Sequence, residues 1–121
     1  MDATDTDAFY RSFIDHLVDK CRTDFYEERA FSGVWNRNAR PDFVPEDHEK
    51  NLLLQSLSMD QRRVLGAMLM ELYVSGVFDT LVALHEEQIE PFDRGYESSP
   101  FNDFMGRLPG NWDWPTDRER A

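Results

Sequence analysis

The chain has 121 residues and a formal net charge of -11, with a pI near 4.5. That length suits one domain able to bury a core without staples, and 40% hydrophobic with 31% charged residues is far from the disordered class. The charge disfavours nucleic acid and anionic membrane surfaces, and Cys21 as sole cysteine excludes an intramolecular disulfide and a cysteine metal cluster.

The first helix is expected to start at Asp5 or Thr6, with Asp7 at the positive end of its dipole. Phe9, Phe13, Leu17 and Cys21 recur at four-residue steps, with Tyr10, Ile14 and Val18 beside them, which predicts one broad apolar face. Cys21 on that face reads as a small buried hydrophobe rather than a nucleophile. The helix should end near Thr23 or run on through Tyr26 to Arg29. The acidic start, Met1 to Asp7, has neither the basic residues nor the apolar run of a secretory signal.

Residues 31–45 are expected to be irregular, because Gly33, Asn36, Asn38, Pro41 and Pro45 punctuate them. Phe31, Val34, Trp35, Phe43 and Val44 require this aromatic loop to lie on a core. A second helix is predicted from Pro45 to about Leu57, with Glu46, Asp47 and Glu49 near its positive end. Leu52, Leu53, Leu54 and Leu57 are its expected buried side.

Ser58-Met59-Asp60-Gln61 has the spacing of a capping box and opens the main element. Val64, Leu65, Met68, Leu69, Leu72 and Tyr73 lie nearly all round it, which predicts the central and most buried helix. Ser75-Gly76 interrupts the pattern before Phe78, Leu81, Val82, Leu84 and Ile89, giving segments 59–74 and 77–89 or one bent helix. Val64 to Leu84 is apolar enough to raise a membrane span. Glu71 and Asp79 inside it oppose one, so a cytoplasmic protein without membrane contact is expected.

Ser98-Ser99-Pro100 is predicted to open a short helix carrying Phe101, Phe104, Met105 and Leu108, broken by Pro109-Gly110. Asn111-Trp112-Asp113-Trp114-Pro115 then forms a strap. The expected fold is all-α: a compact bundle of four or five helices with an aromatic loop and an irregular C-terminal strap. Residues 1–121 are read as a single helical domain, with 1–5 and 116–121 flexible.

No catalytic motif is present. The three histidines, His16, His48 and His85, lack the Glu-x-x-His and HExxH spacings, and there is no GxSxG elbow or glycine-rich phosphate loop. Neither an enzyme nor a cofactor is implied. Glu71 and Asp79, each inside the apolar run, need an arginine partner or serve, with His85, as an alternative metal or acid–base site. Residues 64–93 contain no Lys or Arg, and Glu86, Glu87 and Glu90 gather at an expected helix C-terminus, where acids are unfavourable. Arginines of the loop at 37–40 could answer them; otherwise they form an acidic patch for a basic partner. Trp112 and Trp114, two apart, would point the same way in an extended strap, as core anchors or as a binding surface.

Leu57-Ser58-Met59-Asp60-Gln61-Arg62 leading into Gly76-Val77-Phe78-Asp79 forms one suggestive stretch. Phe104-Met105-Gly106-Arg107 followed by Trp112-Asp113-Trp114-Pro115 forms another. Together these resemble a family of small bacterial proteins of unknown function. The resemblance implies a bacterial origin and a conserved helical fold, and brings no catalytic residue. The expected function is an acidic protein-interaction domain, of an inhibitor or immunity type or a regulator, that binds a basic partner through Glu86, Glu87, Glu90, Trp112 and Trp114. The rival expectation is a small metal-binding or enzymatic helical domain using Glu71, Asp79 and His85. Homo-oligomerisation through the strap is a third.

Overall fold

A computed structural model describes residues 3–96, 99–110 and 112–114. The fold is all-α, with five helices among those residues: α1 (Ala3–Cys21), α2 (Phe25–Ser32), α3 (Pro45–Ser56), α4 (Met59–Glu86) and α5 (Pro100–Arg107). No strand forms among the described residues; an isolated bridge joins Arg40 and Phe43. The chain divides into two compact units, Met1–Arg22 with Val74–Ala121, and Thr23–Tyr73. Helix α1 already includes residues 3–5. Residues 1, 2 and 116–121, with Ser98, Asn111 and Pro115, lie outside the described residues.

The first unit holds α1, the C-terminal part of α4, α5 and the strap. Its core is Tyr10, Ile14, Val18, Cys21, Leu81, Phe92, Phe104 and Trp114, each less than a tenth exposed. On α1 the buried stripe is therefore Tyr10–Ile14–Val18–Cys21, while Phe9 and Phe13 sit on its exposed rim. Full burial of a side chain such as Ile14 or Phe104 contributes about 1.5–3 kcal/mol. Asp103, also buried, accepts the Tyr10 hydroxyl at 2.6 Å and the Tyr96 N–H at 2.6 Å through one carboxylate oxygen. Burial, and then the hydrogen bond and charge of Asp103, push the Tyr10 phenol well above its ordinary range. Cys21 is a buried thiol whose pKa burial also raises, as its place on the apolar face predicts.

Helix α1 does not continue to Arg29. Arg22, Thr23 and Asp24 separate it from α2, and the Thr23 hydroxyl accepts the Phe25 N–H at 3.3 Å. Arg22, at the break, donates to the carbonyls of Arg107 and Leu108 at 3.0 Å each, at the end of α5.

The second unit holds α2, the aromatic loop, α3 and the N-terminal part of α4. The inner side of α3 is not its leucine run. Leu52 and Leu53 are more than half exposed, and only Leu54 of that run is buried. Asp47, Asn51 and Gln55, at four-residue steps, instead hold the loop. Asp47 accepts the Asn36 amide at 3.0 Å, and Gln55 donates to the Gly33 carbonyl at 3.3 Å. Buried Asn51 accepts the Trp35 N–H at 2.6 Å and the Asn36 N–H at 3.1 Å, and donates to the Asn36 carbonyl at 2.8 Å. Backbone groups of a loop laid on a core must find partners, and one α3 face supplies them.

Candidate functional site

Helix α4 starts as its sequence predicts. The Ser58 Oγ accepts the Gln61 N–H at 3.1 Å, and Gln61 Oε1 accepts the Ser58 N–H at 2.8 Å, a reciprocal capping box. One turn on, Arg62 donates to the carbonyl of Leu54 at 2.8 Å and to that of Gln55 at 3.3 Å, both at the end of α3. It also reaches the Phe31 carbonyl at 3.4 Å, at the end of α2. One guanidinium thus serves last-turn carbonyls of two helices. Gly33 ends α2 in a left-handed conformation, φ 77°, and a Cβ there would lie 2.8 Å from Arg62 Nη1. Gly66 permits the α2 backbone to approach, since a Cβ would meet Glu27 Cα at 3.0 Å.

The helix is continuous from Met59 to Glu86, one element rather than two. Among the described residues nothing lies within 4 Å of where a Cβ on Gly76 would stand, so no close helix contact is marked there. The expectation of a helix buried all round is overturned. Its inner side is narrow, with Gly66, Met70 and Leu81 buried. Val64, Met68 and Leu72 are 57%, 52% and 67% exposed, and four-residue spacing makes them one stripe. The exposed acids Asp60 and Glu71 accompany it. An amphipathic pattern fails to announce this face because inner and outer residues alike are apolar. By length and composition alone, α4 is also long and apolar enough to cross a membrane.

Glu71 and Asp79 are exposed and make no ion pair among the described residues; water solvates them, so the expected arginine partners are not needed. His85 is half-buried, its ring edge-on to Phe101 at 5.8 Å between centroids. Among the described residues no three His, Cys, Asp or Glu side chains gather to hold a metal ion, so Glu71, Asp79 and His85 are not brought together.

Glu86, Glu87 and Glu90 are all exposed where α4 ends, and none has a salt bridge among the described residues. Within the second unit, Arg40 pairs with Asp42 at 3.8 Å, and Arg37 pairs with no described residue. An uncompensated acid cluster at a negative helix end is a cost to local stability.

The tryptophans divide. Trp114 is 2% exposed and donates its indole N–H to Asp15 at 3.0 Å. Its ring meets those of Tyr10, Tyr96 and Trp112 edge-on. It anchors the strap in the first unit's core. Trp112 is half-buried, packed 3.5 Å from the position of a Cβ on Gly106. Arg107 ties the same corner, donating to Asp15 at 2.8 Å and to the Trp112 carbonyl at 2.9 Å. The two indole rings meet at 5.1 Å between centroids, in keeping with the same-side placement that a two-residue spacing predicts.

The family of unknown function DUF6547 matches residues 3–116, and the chain belongs to that family. No curated protein and no solved structure matches the chain.

Proposed function

We propose that this family member is a non-enzymatic interaction domain of the bacterial cytoplasm. It binds a basic partner in the manner of an inhibitor, an immunity-type protein or a small regulator. The observation that carries the proposal is the exposed stripe Val64–Met68–Leu72 on α4, accompanied by Asp60 and Glu71. Exposed apolar side chains in register on a helix suit an apolar face on another helix. The chemistry of that partner follows from charge. A second copy would carry the same net charge of -11, whereas lysines or arginines beside an apolar face would meet Glu71, Asp60 being paired with Arg63 at 3.1 Å. In the other unit, the exposed Glu86, Glu87 and Glu90 likewise favour a basic partner. Trp112 and Trp114 are left to the fold.

Calorimetric titration with a basic amphipathic helical peptide of leucine and lysine tests this. Wild-type protein should bind it, more weakly as salt rises, and Met68→Glu or Leu72→Glu should weaken binding by roughly tenfold or more. Equal affinity in wild type and both variants, with helicity retained, would overturn the proposal. So would a wild-type protein that forms stable dimers through α4 and ignores the peptide.

A further inference from the structure

The aromatic loop and α2 enclose an open cleft of about 580 Å³ in the second unit, lined among others by Phe25, Arg29, Val34, Trp35, Arg37 and Asn38. Small-ligand sites commonly span roughly 300–1,000 Å³ and combine apolar walls with a few placed polar groups. Here the walls are built. The Arg29 guanidinium lies 3.9 Å from the centre of the Trp35 ring and 5.2 Å from that of Phe25, and Arg29 Nε donates to the Trp35 carbonyl at 2.9 Å. Asn51 fixes the Trp35 and Asn36 backbone from behind, so the loop carrying the cleft is positioned before any ligand arrives. Apolar surface remains open within it, with Phe25 53% and Val34 38% exposed.

The charge of the cleft runs against that of the chain. Two arginines, Arg29 and Arg37, face one acid, Glu28. The cleft beside Pro91 has three acids to one arginine, and the cleft beside Arg107 three acids to two arginines. Arg29 is committed to the wall, but Arg37 is exposed and makes no hydrogen bond or ion pair with a described residue. A guanidinium left uncommitted beside aromatic walls matches a carboxylate on a flat apolar body, by paired N–H donors and by stacking.

We propose that this cleft binds a small aromatic carboxylate, with Arg37 pairing the carboxylate and the exposed Phe25 and Val34 taking the ring. The proposal is independent of the partner surface on α4.

The test is an amide NMR titration of the full chain with 2-naphthoate, with 2-naphthamide and inorganic phosphate alongside. Naphthoate should shift the amides of residues 25–38 in a saturable manner. Naphthamide, which lacks the charge, should bind roughly tenfold more weakly, and phosphate should not compete. Arg37→Gln removes no internal contact and should fold normally, yet weaken naphthoate by a similar factor. Arg63→Gln, which alters an exposed pair with Asp60 on α4, should leave it unchanged. No saturable shift with naphthoate, shifts away from residues 25–38, or equal affinity in Arg37→Gln would overturn the proposal. Competition by phosphate would overturn its aromatic half.

Discussion

Replacing Asn51 by Ala removes three hydrogen bonds at once. Two are accepted from Trp35 and Asn36, at 2.6 and 3.1 Å, and one is donated to the Asn36 carbonyl at 2.8 Å. A typical intramolecular hydrogen bond contributes about 0.5–1.5 kcal/mol net, and a buried group left unpaired costs about 1–3 kcal/mol. Asn51 itself is 8% exposed, but the bonds lie partly within reach of solvent, so water can recover some of the loss. The expected destabilisation is about 2–3 kcal/mol. With a urea m-value of about 1–3 kcal/mol/M for a small protein, the unfolding midpoint should fall by about 0.7–3 M. Asn51→Asp keeps both acceptor bonds and sets an oxygen against the Asn36 carbonyl, so it should be harmful without losing all that Ala loses. Equilibrium urea unfolding followed by circular dichroism measures both. An Asn51→Ala variant within about 0.5 kcal/mol of wild type, the scatter of ordinary surface changes, would refute the claim that α3 holds the loop through this side chain.

Tyr10→Phe keeps the ring packing but deprives Asp103 of one donor, and should cost about 1.5–3 kcal/mol in the same assay, the range for a hydrogen bond to a charged group. Asp47 has its pKa drawn below the ordinary 3.8 by hydrogen bonds from Asn36 and Lys50. A lowered carboxylate pKa gives stability that is present above 3.8 and lost as pH falls through the lower folded value. The stability difference between wild type and Asp47→Ala should therefore shrink in acid below that point, which urea midpoints across pH will show. Leu72→Gln, at a 67% exposed position, should change stability by less than about 0.5 kcal/mol, whereas Leu81→Ala, at 1%, should cost about 2–5 kcal/mol.

Local chemistry was legible where one rule acts alone. The reciprocal bonds of Ser58 and Gln61, Pro45 at the start of α3, and Pro100 opening α5 follow from capping and proline geometry. Burial was less legible. Leu52 and Leu53 were expected inside because leucine is apolar, but the loop backbone needs partners, and Asp47, Asn51 and Gln55 took that side of α3. Periodicity cannot tell which apolar side of α4 is covered, so Met70 and Met68 look equivalent in sequence though one is buried and the other exposed. The acid cluster at 86–90 was visible as a break in helix-end rules, and its three carboxylates are exposed and unpaired among the described residues. The tryptophans carried no signal separating anchor from surface. Only the Asp15 acceptor and the surrounding rings assign Trp114 to the core. Arg37 gave no signal either, since its significance lies in having no internal partner.

The most direct test of the α4 surface is a methyl NMR map of the basic amphipathic peptide bound to the full chain. The account predicts that the methyl signals of Val64, Met68 and Leu72 shift first and together, while those of buried Ile14 and Leu81 stay in place. Peptide binding that moves Ile14 or Leu81 and leaves the Val64, Met68 and Leu72 methyls untouched would contradict it.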